Sequence, residues 1–322
     1  MAFTSSNTAT LRRAEIWSSQ LKDVLQDDLN ATQWVNWLSE FPDGDTFTIP
    51  SIGEATVRDY SEDTPVLYDA MDTGEFQFTI TEYKSAGTYI TNKALQDAFY
   101  GAQLLASFVP KQARAMAEEL ETKILALAAG GASGGQTASA TNSINGAAHR
   151  WVGSGTSESM SVVDFARASY ALQKANVPQQ NLVAIVDPSV AYTLETLTNI
   201  VNVSNNPRWE GVITEGLSKN HRFVKNIYGF DVYVSNYLPK SQNETINAGT
   251  SLTTAAGVAN IFFSATSDML PFMGAWRQMP KVDGEYNKDM QREEYVTTAR
   301  YGLKVFRPEN LVVVLTDTDV IA

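Results

Sequence analysis

The sequence contains no cysteine and only two histidines, so the side chains most used for metal binding and nucleophilic catalysis are scarce. Without cysteine there is no disulfide framework, no thiolate zinc site and no cysteine nucleophile. His149 and His221 have no histidine or cysteine partner at the spacing of a zinc site. The sequence therefore assigns no metal ligand among these residue types.

Long apolar runs are also missing. A membrane-spanning helix needs about 18 or more apolar residues, and apolar stretches such as 311–315 are only as long as a buried strand. The N-terminus lacks the basic start and the continuous apolar run of a signal peptide. We therefore predict a protein without membrane contact that is made and used in the cytoplasm.

Positive charge is the third scarcity. The chain has 36 acidic residues against 24 basic ones, which gives a formal net charge of −12. A protein that binds nucleic acid directly neutralises phosphates with clustered basic side chains. Here the basic residues are scattered, and the densest pair is Arg12 with Arg13. This distribution argues against sequence-specific or high-affinity binding of DNA.

Catalytic and nucleotide-binding motifs are absent as well. The chain has no phosphate-binding glycine loop after a strand, and its Gly-Ser steps lie in the low-complexity stretch 130–160 rather than in a nucleophile turn. Glu118, Glu119 and Glu121 fall on a predicted helix, where we expect a hydrated charged face rather than a catalytic pair. No catalytic or cofactor-binding residue is predicted, and the chain is not expected to be an enzyme.

One stretch, 283–294, has the residue spacing of a calcium loop. Its acidic and amide side chains fall at alternate positions and at the last position, as calcium loops require. However, Lys288 occupies the position where the sharp turn needs glycine, and the flanking sequences are typical of strands or loops rather than paired helices. A polar loop is therefore favoured over a calcium site, and no metal is assigned.

The first part of the chain, residues 1–44, is predicted to be an N-terminal arm. A helical pattern starts at Leu11, and Trp34 and Trp37 follow after a break. A short amphipathic segment on an extended arm needs a surface to pack on. It can dock on its own domain or clamp a neighbouring subunit, and the sequence favours neither.

Residues 45–90 are predicted to form an extended hairpin. Phe76, Phe78 and Ile80 alternate with polar residues, which is the period of a half-buried strand. The segment between the strands is acidic and rich in turn residues. Two strands alone are marginally stable in water, so we expect this hairpin to lie against something else.

A long helix is predicted over 103–129, ending at Gly130. Its apolar residues recur at threes and fours, with Gln112 occupying one slot of the stripe; they are Phe108, Met116, Leu120, Ile124 and Leu127. Pro110 is placed in the first turn, where its missing N–H is harmless. Glu119 and Lys123 are expected to form a pair one turn apart on the opposite face.

The stretch 130–160 is rich in Gly, Ser and Thr, and it predicts a flexible linker or exposed loop. A small α/β domain is predicted over 158–270. Helices are expected at 162–175 and 189–201, a buried strand at 181–188, and a central strand at 226–239. The last fifty or so residues are strand-rich again and end in the apolar run 311–315.

In its layout and in three local patterns the chain resembles the major capsid proteins of tailed phages with the Hong Kong 97-type fold. The patterns are "AMAEELETKILALAAG", the strand–proline–helix run "NLVAIVDPSVAYTLETL" with "GFDVYVSNYLP" after it, and "ARYGLKVFRPENLVVVL". The resemblance covers nearly the whole chain, and T7-like podophages are the group expected first.

The resemblance implies an α+β fold divided into known parts. Residues 1–44 would be the N-terminal arm and 45–90 the extended loop that reaches over an adjacent subunit. Residues 91–157 and 271–322 would form the peripheral domain, with the spine helix at 103–129 and the C-terminal strands completing its sheet. Residues 158–270 would form the axial domain.

The same resemblance implies a structural subunit of the virion that assembles into pentamers and hexamers of an icosahedral head. The expected partners are other copies of the chain, a separate scaffolding protein, a portal protein and a decoration protein. The head would enclose double-stranded DNA without sequence-specific contacts. An encapsulin-type nanocompartment shell that holds an enzyme cargo is the alternative, and neighbouring genes would separate the two.

Deleting residues 54–74 should leave a folded subunit that no longer forms stable shells, because a hairpin that packs on a neighbour contributes to assembly rather than to the subunit's own core. Thermal unfolding followed by circular dichroism checks the fold, and electron microscopy checks the shells. A globally unfolded deletion variant would show that the segment belongs to the core instead.

Overall fold

The computed structural model of the chain describes residues 29–38, 46–52, 57–59, 61–63, 65, 73–97, 101–130, 143–196, 226–240, 244–246, 250–252 and 257–317. The helical pattern predicted from Leu11 lies outside these residues, and so does His221. Among the helices of the described part, none is long and apolar enough to cross a membrane.

Strands and helices are mixed along the chain, in agreement with the predicted α+β class. In chain order the strands are β1 (Val35–Leu38), β2 (Thr46–Ile52), β3 (Thr73–Thr79), β4 (Glu82–Thr91), β5 (Ser143–Ile144), β6 (Ala147–Ala148), β7 (Arg150–Val152), β8 (Leu182–Val186), β9 (Asn226–Ile227), β10 (Phe230–Val234), β11 (Glu244–Ile246), β12 (Thr250–Leu252), β13 (Gly257–Ser264), β14 (Phe272–Asn287), β15 (Arg292–Val305) and β16 (Val312–Asp317). The α-helices are α1 (Asn92–Asp97), α2 (Gly101–Ala126), α3 (Val162–Lys174) and α4 (Pro188–Thr196), and short 3₁₀ turns cover Ala31–Trp34, Thr156–Glu158, Ser267–Met269 and Pro308–Asn310.

A six-stranded mixed sheet has the order β7–β16–β13–β8–β10–β9. The β8–β10 and β7–β16 pairs are parallel, whereas β13 runs antiparallel to both β8 and β16. Every residue of β8 and β13 is buried, because their alternating side chains enter two different cores, one on each face. Burial on both faces explains why these strands are almost continuously apolar. The buried strand predicted at 181–188 is confirmed.

Helices α3 and α4 cover one face of this sheet. The start of α3 is fixed by a capping box. The Ser161 hydroxyl accepts the backbone N–H of Val163, and the Asp164 carboxylate accepts the backbone N–H of Ser161. Phe165 of α3 meets the rings of Phe230 and Phe262 edge to face, a favourable aromatic geometry. The predicted helix over 162–175 is confirmed, and the helix predicted over 189–201 is confirmed as far as Thr196, since 197–201 lie outside the described residues.

Helix α2 shares one core with the other face of the six-stranded sheet and with a second, four-stranded sheet of order β1–β14–β15–β4. The predicted stripe at Met116, Leu120, Ile124 and Leu127 is buried. A second row, at Leu125 and Ala128, is also completely buried. The helix is thus covered on more than one side, which a single amphipathic stripe did not predict.

The prediction that Pro110 lies in the first turn is wrong. The helix begins at Gly101, and Pro110 lies in its interior. A proline inside a helix removes one hydrogen bond and costs about 3 kcal/mol or more. We attribute the continuous helix to the packing of its C-terminal half against two sheets, which local propensity does not include.

The hairpin predicted over 45–90 is present as β2 paired antiparallel with β3, with Thr46 opposite Thr79 and Ile52 opposite Thr73. Phe78 is completely buried, whereas its neighbours Gln77 and Thr79 are exposed, as the alternation predicted. The next strand, β4, leaves the hairpin and pairs with β15 instead. The structured hairpin is therefore shorter than predicted.

The linker predicted over 130–160 is wrong for its C-terminal half. The segment forms the β5–β6 hairpin, which turns at Asn145 and Gly146 with positive φ angles, and then β7. All three residues of β7 are buried, and Trp151 donates its indole N–H to the Asp164 carboxylate at 3.1 Å. Strand β7 of the six-stranded sheet was not predicted because it is only three residues long and lies within a stretch of mostly small residues.

Two placements in the six-stranded sheet differ from the expectation. Strand β10 is not central, since among the described strands only the two-residue β9 lies beyond it at that edge. Strand β16 pairs with β13 and β7 rather than joining β14 and β15. The sheet thus draws strands from inside and outside 158–270, so the predicted domain boundaries cut across it.

His149 is completely buried between β6 and β7. Its Nδ1 lies 3.0 Å from the Ala147 carbonyl, and its Nε2 has no partner within hydrogen-bonding geometry among the described residues, although the Glu309 backbone lies near the ring. The Nδ1 contact to a carbonyl requires a proton on Nδ1, so Nε2 is the unprotonated nitrogen. Burial lowers the pKa of this imidazole, because the charged form would lose its hydration.

Acid should therefore destabilise the fold through His149. The imidazole is neutral when folded but gains a proton when unfolded below about pH 6.5, so stability falls by up to about 1.4 kcal/mol per pH unit until the lower folded pKa is reached. Chemical unfolding of the wild type and of His149→Gln between pH 7.5 and 5.5 measures this. Because His221 is present in both proteins, parallel pH profiles would contradict the assignment.

Candidate assembly surfaces

The end of the N-terminal arm is fastened to α2 by a buried carboxylate. Glu121 is 1% exposed, and it accepts the backbone N–H of Ala31 through both oxygens at 2.9 Å and that of Asn30 at 3.0 Å. Burial raises the pKa of Glu121, while these N–H groups act in the opposite direction. The prediction that Glu121 lies on the solvent side is wrong.

The residues after this carboxylate are also docked on their own chain. Trp34 is buried, with its ring centroid 5.0 Å from that of Tyr233 and 5.5 Å from that of Phe263. Strand β1 then pairs in parallel with β14, and Trp37 stacks on Trp276 at 5.0 Å. Residues 29–38 therefore follow the first of the two alternatives, and the preceding arm lies outside the described residues.

A buried amide ties α2 to the four-stranded sheet. Gln112 donates to the Thr88 hydroxyl at 2.6 Å and to the Tyr295 carbonyl at 2.9 Å, and it accepts from the Thr297 hydroxyl at 2.8 Å. The position of Gln112 in the predicted apolar stripe was the sequence signal for these hydrogen bonds, because a polar residue at a core position requires partners.

The β2–β3 hairpin is anchored at its base and exposed toward its tip. Phe78 packs with Met273 and Ala275 of β14, and Lys304 donates to the Gln77 carbonyl at 2.7 Å. Toward the tip, Val57 is 95% exposed, and the described acidic residues around it are exposed as well. The base thus belongs to the subunit's core, whereas the described side chains toward the tip are exposed.

The face of the four-stranded sheet opposite α2 is covered by the hairpin base at Met273 and Ala275 but exposed around β4. Tyr83 and Tyr89 are 64% and 59% exposed, and Val296, paired with Gly87, lies on the same face. The guanidinium of Arg292 lies 4.4 Å from the centre of the Tyr89 ring, a cation–π contact that holds the ring in place. Exposed aromatic rings of this kind are common at protein interfaces.

Strand β4 forms the edge of this sheet, and its inward side carries charge. Lys84 Nζ lies 3.1 Å from Glu119 Oε1 and 3.2 Å from Glu82 Oε2, and the hydrogen bond to Glu119 is the main cause of its raised pKa. Lys123 reaches Glu82 at 3.8 Å. The predicted pair of Glu119 with Lys123 is therefore wrong, since both residues bind β4 side chains.

Residues 283–294 form an antiparallel strand pair with a tight turn. Asp283 and Asn287 lie on extended β14, so they are about 13 Å apart along the strand, too far to share one ion. The Glu294 carboxylate accepts from the side chains of Arg292 and Asn287. The predicted polar loop is present only as the turn 288–291, and in the described part of the chain no His, Asp and Glu side chains cluster as a metal site would need.

Sequence comparison identifies the family. The sequence profile of a family described as phage capsid protein matches residues 74–314. The chain belongs to this phage capsid protein family. The match includes α2, strands β4, β14 and β15 of the four-stranded sheet and the six-stranded sheet up to the middle of β16, and it indicates a structural protein of the virion. The resemblance to phage capsid proteins is thereby confirmed, whereas a search of curated protein sequences finds no match.

Solved phage structures share the fold of this capsid protein at low sequence identity. A structure from Mycobacterium phage Che8 has a TM-score of 0.67 at 18% identity and covers 94% of this chain and 96% of its own. The capsid of cyanophage P-SCSP1u has a TM-score of 0.69 at 15% identity, covering 93% and 91%. The capsid asymmetric unit of cyanophage Pam1 has a TM-score of 0.70 at 13% identity, covering 96% and 98%.

Replacing Glu121 by Gln should lower the free energy of unfolding by about 1–3 kcal/mol, because an amide cannot satisfy all the buried N–H groups that the carboxylate accepts. Relief from burying a charge offsets part of this loss. Denaturant unfolding measures the change, and limited proteolysis before residue 38 reports release of the arm.

Glu118→Gln is the matched control. Glu118 is on the same helix, but its side chain is partly exposed and contacts Arg114 and Tyr237, and partly exposed ion pairs contribute about 0–1 kcal/mol. Equal effects of the two substitutions would contradict the role of Glu121 in holding the arm.

Proposed function

We propose that this capsid protein is the major, non-enzymatic shell subunit of a tailed phage with the Hong Kong 97-type fold. In the virion it forms pentamers and hexamers of an icosahedral head that encloses double-stranded DNA. The observation that carries the proposal is the β2–β3 hairpin, whose base is part of the subunit core while its tip exposes Val57 and acidic side chains. A subunit that functioned alone would have no use for such a projection.

Shell assembly follows from many weak contacts rather than one strong interface. The hairpin tip, the exposed sheet face around β4 and the N-terminal arm each offer limited contact area. In a closed shell each later contact forms at a high effective concentration, so weak contacts together hold the structure. Closed symmetry also leaves no unpaired interface, which limits growth.

The parts of the subunit take the roles that the resemblance implies. Helix α2 acts as the spine helix and the β2–β3 hairpin as the extended loop over an adjacent subunit. Residues 1–44 act as the arm, whose strand β1 joins the four-stranded sheet. The axial domain centres on the six-stranded sheet, to which β7 and β16 contribute from outside 158–270. The peripheral domain then consists of α2 with the four-stranded sheet.

The remaining partners follow from the same proposal. A separate scaffolding protein directs assembly in the host cytoplasm, a portal protein occupies one vertex, and a decoration protein binds outside. The acidic balance of the chain, with a net charge of −12, suits a wall that does not adhere to packaged DNA, because like charges repel.

Co-expression with the scaffolding protein of the same phage tests the proposal. Negative-stain electron microscopy should show closed icosahedral shells, and their mass should require many copies of the chain. Purified protein that stays monomeric with its scaffold present would overturn the assignment as a shell subunit. Shells that carried an enzyme in place of DNA would favour a nanocompartment instead.

A further inference from the structure

The turn between β5 and β6 has a backbone shape that few residue types adopt. Asn145 and Gly146 occupy its two central positions, with φ angles of 50° and 81°. A two-residue hairpin turn with positive φ at both positions strongly favours Asn followed by Gly. Both residues are exposed, and no described heavy atom beyond the chain neighbours lies within 4 Å of the place where a Gly146 side chain would begin. Water therefore reaches this turn freely.

The Asn145 side chain also caps a helix. Its Nδ2 donates a hydrogen bond to the Lys174 carbonyl at 2.9 Å. Lys174 is the last residue of α3, so its carbonyl is one of the four that a helix leaves without a donor of its own. The turn thus reverses the chain between β5 and β6, and it supplies a donor to the C-terminal end of α3.

Asn145 differs from two other asparagines that have the same backbone conformation. Asn176 and Asn181 are also exposed, and their φ angles are 59° and 50°. They are followed by the buried side chains of Val177 and Leu182, whereas Asn145 is followed by glycine. A bulky side chain hinders attack by its own backbone nitrogen on the preceding residue, and glycine does not. Of these three positions, only Asn145 combines exposure with an unhindered neighbouring nitrogen.

We propose that Asn145 is a site of deamidation in the folded subunit, and that this reaction removes the cap from α3. The Gly146 nitrogen attacks Cγ of Asn145 to form a five-membered imide, while the bond from Cγ to Nδ2 breaks. The proton of the Gly146 nitrogen leaves with Nδ2, so one ammonia is released. One water then opens the imide at either carbonyl and leaves aspartate or isoaspartate at position 145. No atom is oxidised or reduced.

The fold slows this reaction without preventing it. In the closed turn the Lys174 carbonyl holds Nδ2, so the turn must open before the Gly146 nitrogen reaches Cγ. The hairpin has only two residues on each side. So short a hairpin is marginally stable by itself and opens locally without unfolding the sheets. We therefore expect deamidation of the native chain to be slower than that of the denatured chain.

The product changes the end of α3. A carboxylate has no proton to donate at neutral pH, so the Lys174 carbonyl loses the hydrogen bond from position 145. Isoaspartate in addition inserts a methylene group into the main chain of the turn. The last turn of α3 should therefore fray in every deamidated copy, whether or not the copy is assembled.

Mass spectrometry of the purified full-length chain tests the reaction. The native protein is incubated in mildly alkaline buffer made with heavy-oxygen water, and it is then digested at acidic pH in ordinary water and sequenced by tandem mass spectrometry. Position 145 should gain heavy oxygen with time, whereas positions 176 and 181 should not. The same incubation in denaturant should accelerate the gain at 145 several-fold. Retention of asparagine at position 145 in the native protein, with loss of it in the denatured chain, would overturn the proposal.

Substitutions test the effect on α3. Asn145→Asp reproduces one product, and Asn145→Gly keeps the turn but removes the donor without adding charge. Asn176→Asp is the matched control, because it adds the same charge just after α3 on the same backbone conformation and leaves the bond from Asn145 to Lys174 in place. Hydrogen exchange in the last turn of α3 should be several-fold faster in both Asn145 variants than in the wild type and the control. Equal exchange in all four proteins would contradict the capping role.

Discussion

The burial of α2 on more than one side is the constraint on which the rest of the structure depends. Because the helix shares a core with both sheets, it fixes their relative position and creates sites where Glu121 and Gln112 are both buried and satisfied. Glu121 then determines where the N-terminal arm joins the subunit, and Gln112 sets the position of β4 and β15 along the helix. Without α2 the two sheets would lose the helix that packs against both of them.

Buried polar side chains recur at the joints between elements. Asp164 connects α3 to β7 through Trp151, and Asn310 exchanges hydrogen bonds with the backbone of Ser264. Each such group costs free energy unless its partners are in place, so it selects one arrangement of neighbouring elements over others. A shell subunit needs one defined arrangement of its elements, since every copy must present the same surfaces to its neighbours.

Local patterns in the sequence predicted the individual elements well. The alternation at Phe76 and Phe78, the periodic residues of α2 and the apolar run of β8 all indicated the right secondary structure, because burial on one or two faces leaves a direct periodic signal. Tertiary relations were less accessible. In the sequence, Glu121 does not differ from an exposed helical carboxylate, because its burial depends on contact with Ala31, 90 residues away. The short β7 lies in a stretch of mostly small residues. The continuous passage of α2 through Pro110 likewise depends on packing that no local pattern records.

The inward charges of the β4 edge have a consequence for the subunit before it is assembled. A shell of many copies requires a supply of free copies, and among these an open sheet edge is a template for uncontrolled polymerisation. Lys84 and Glu82 form ion pairs with Glu119 and Lys123 of α2. A further strand beside β4 would remove water from these charged side chains. The charged side chains of this edge thus disfavour the addition of a further strand.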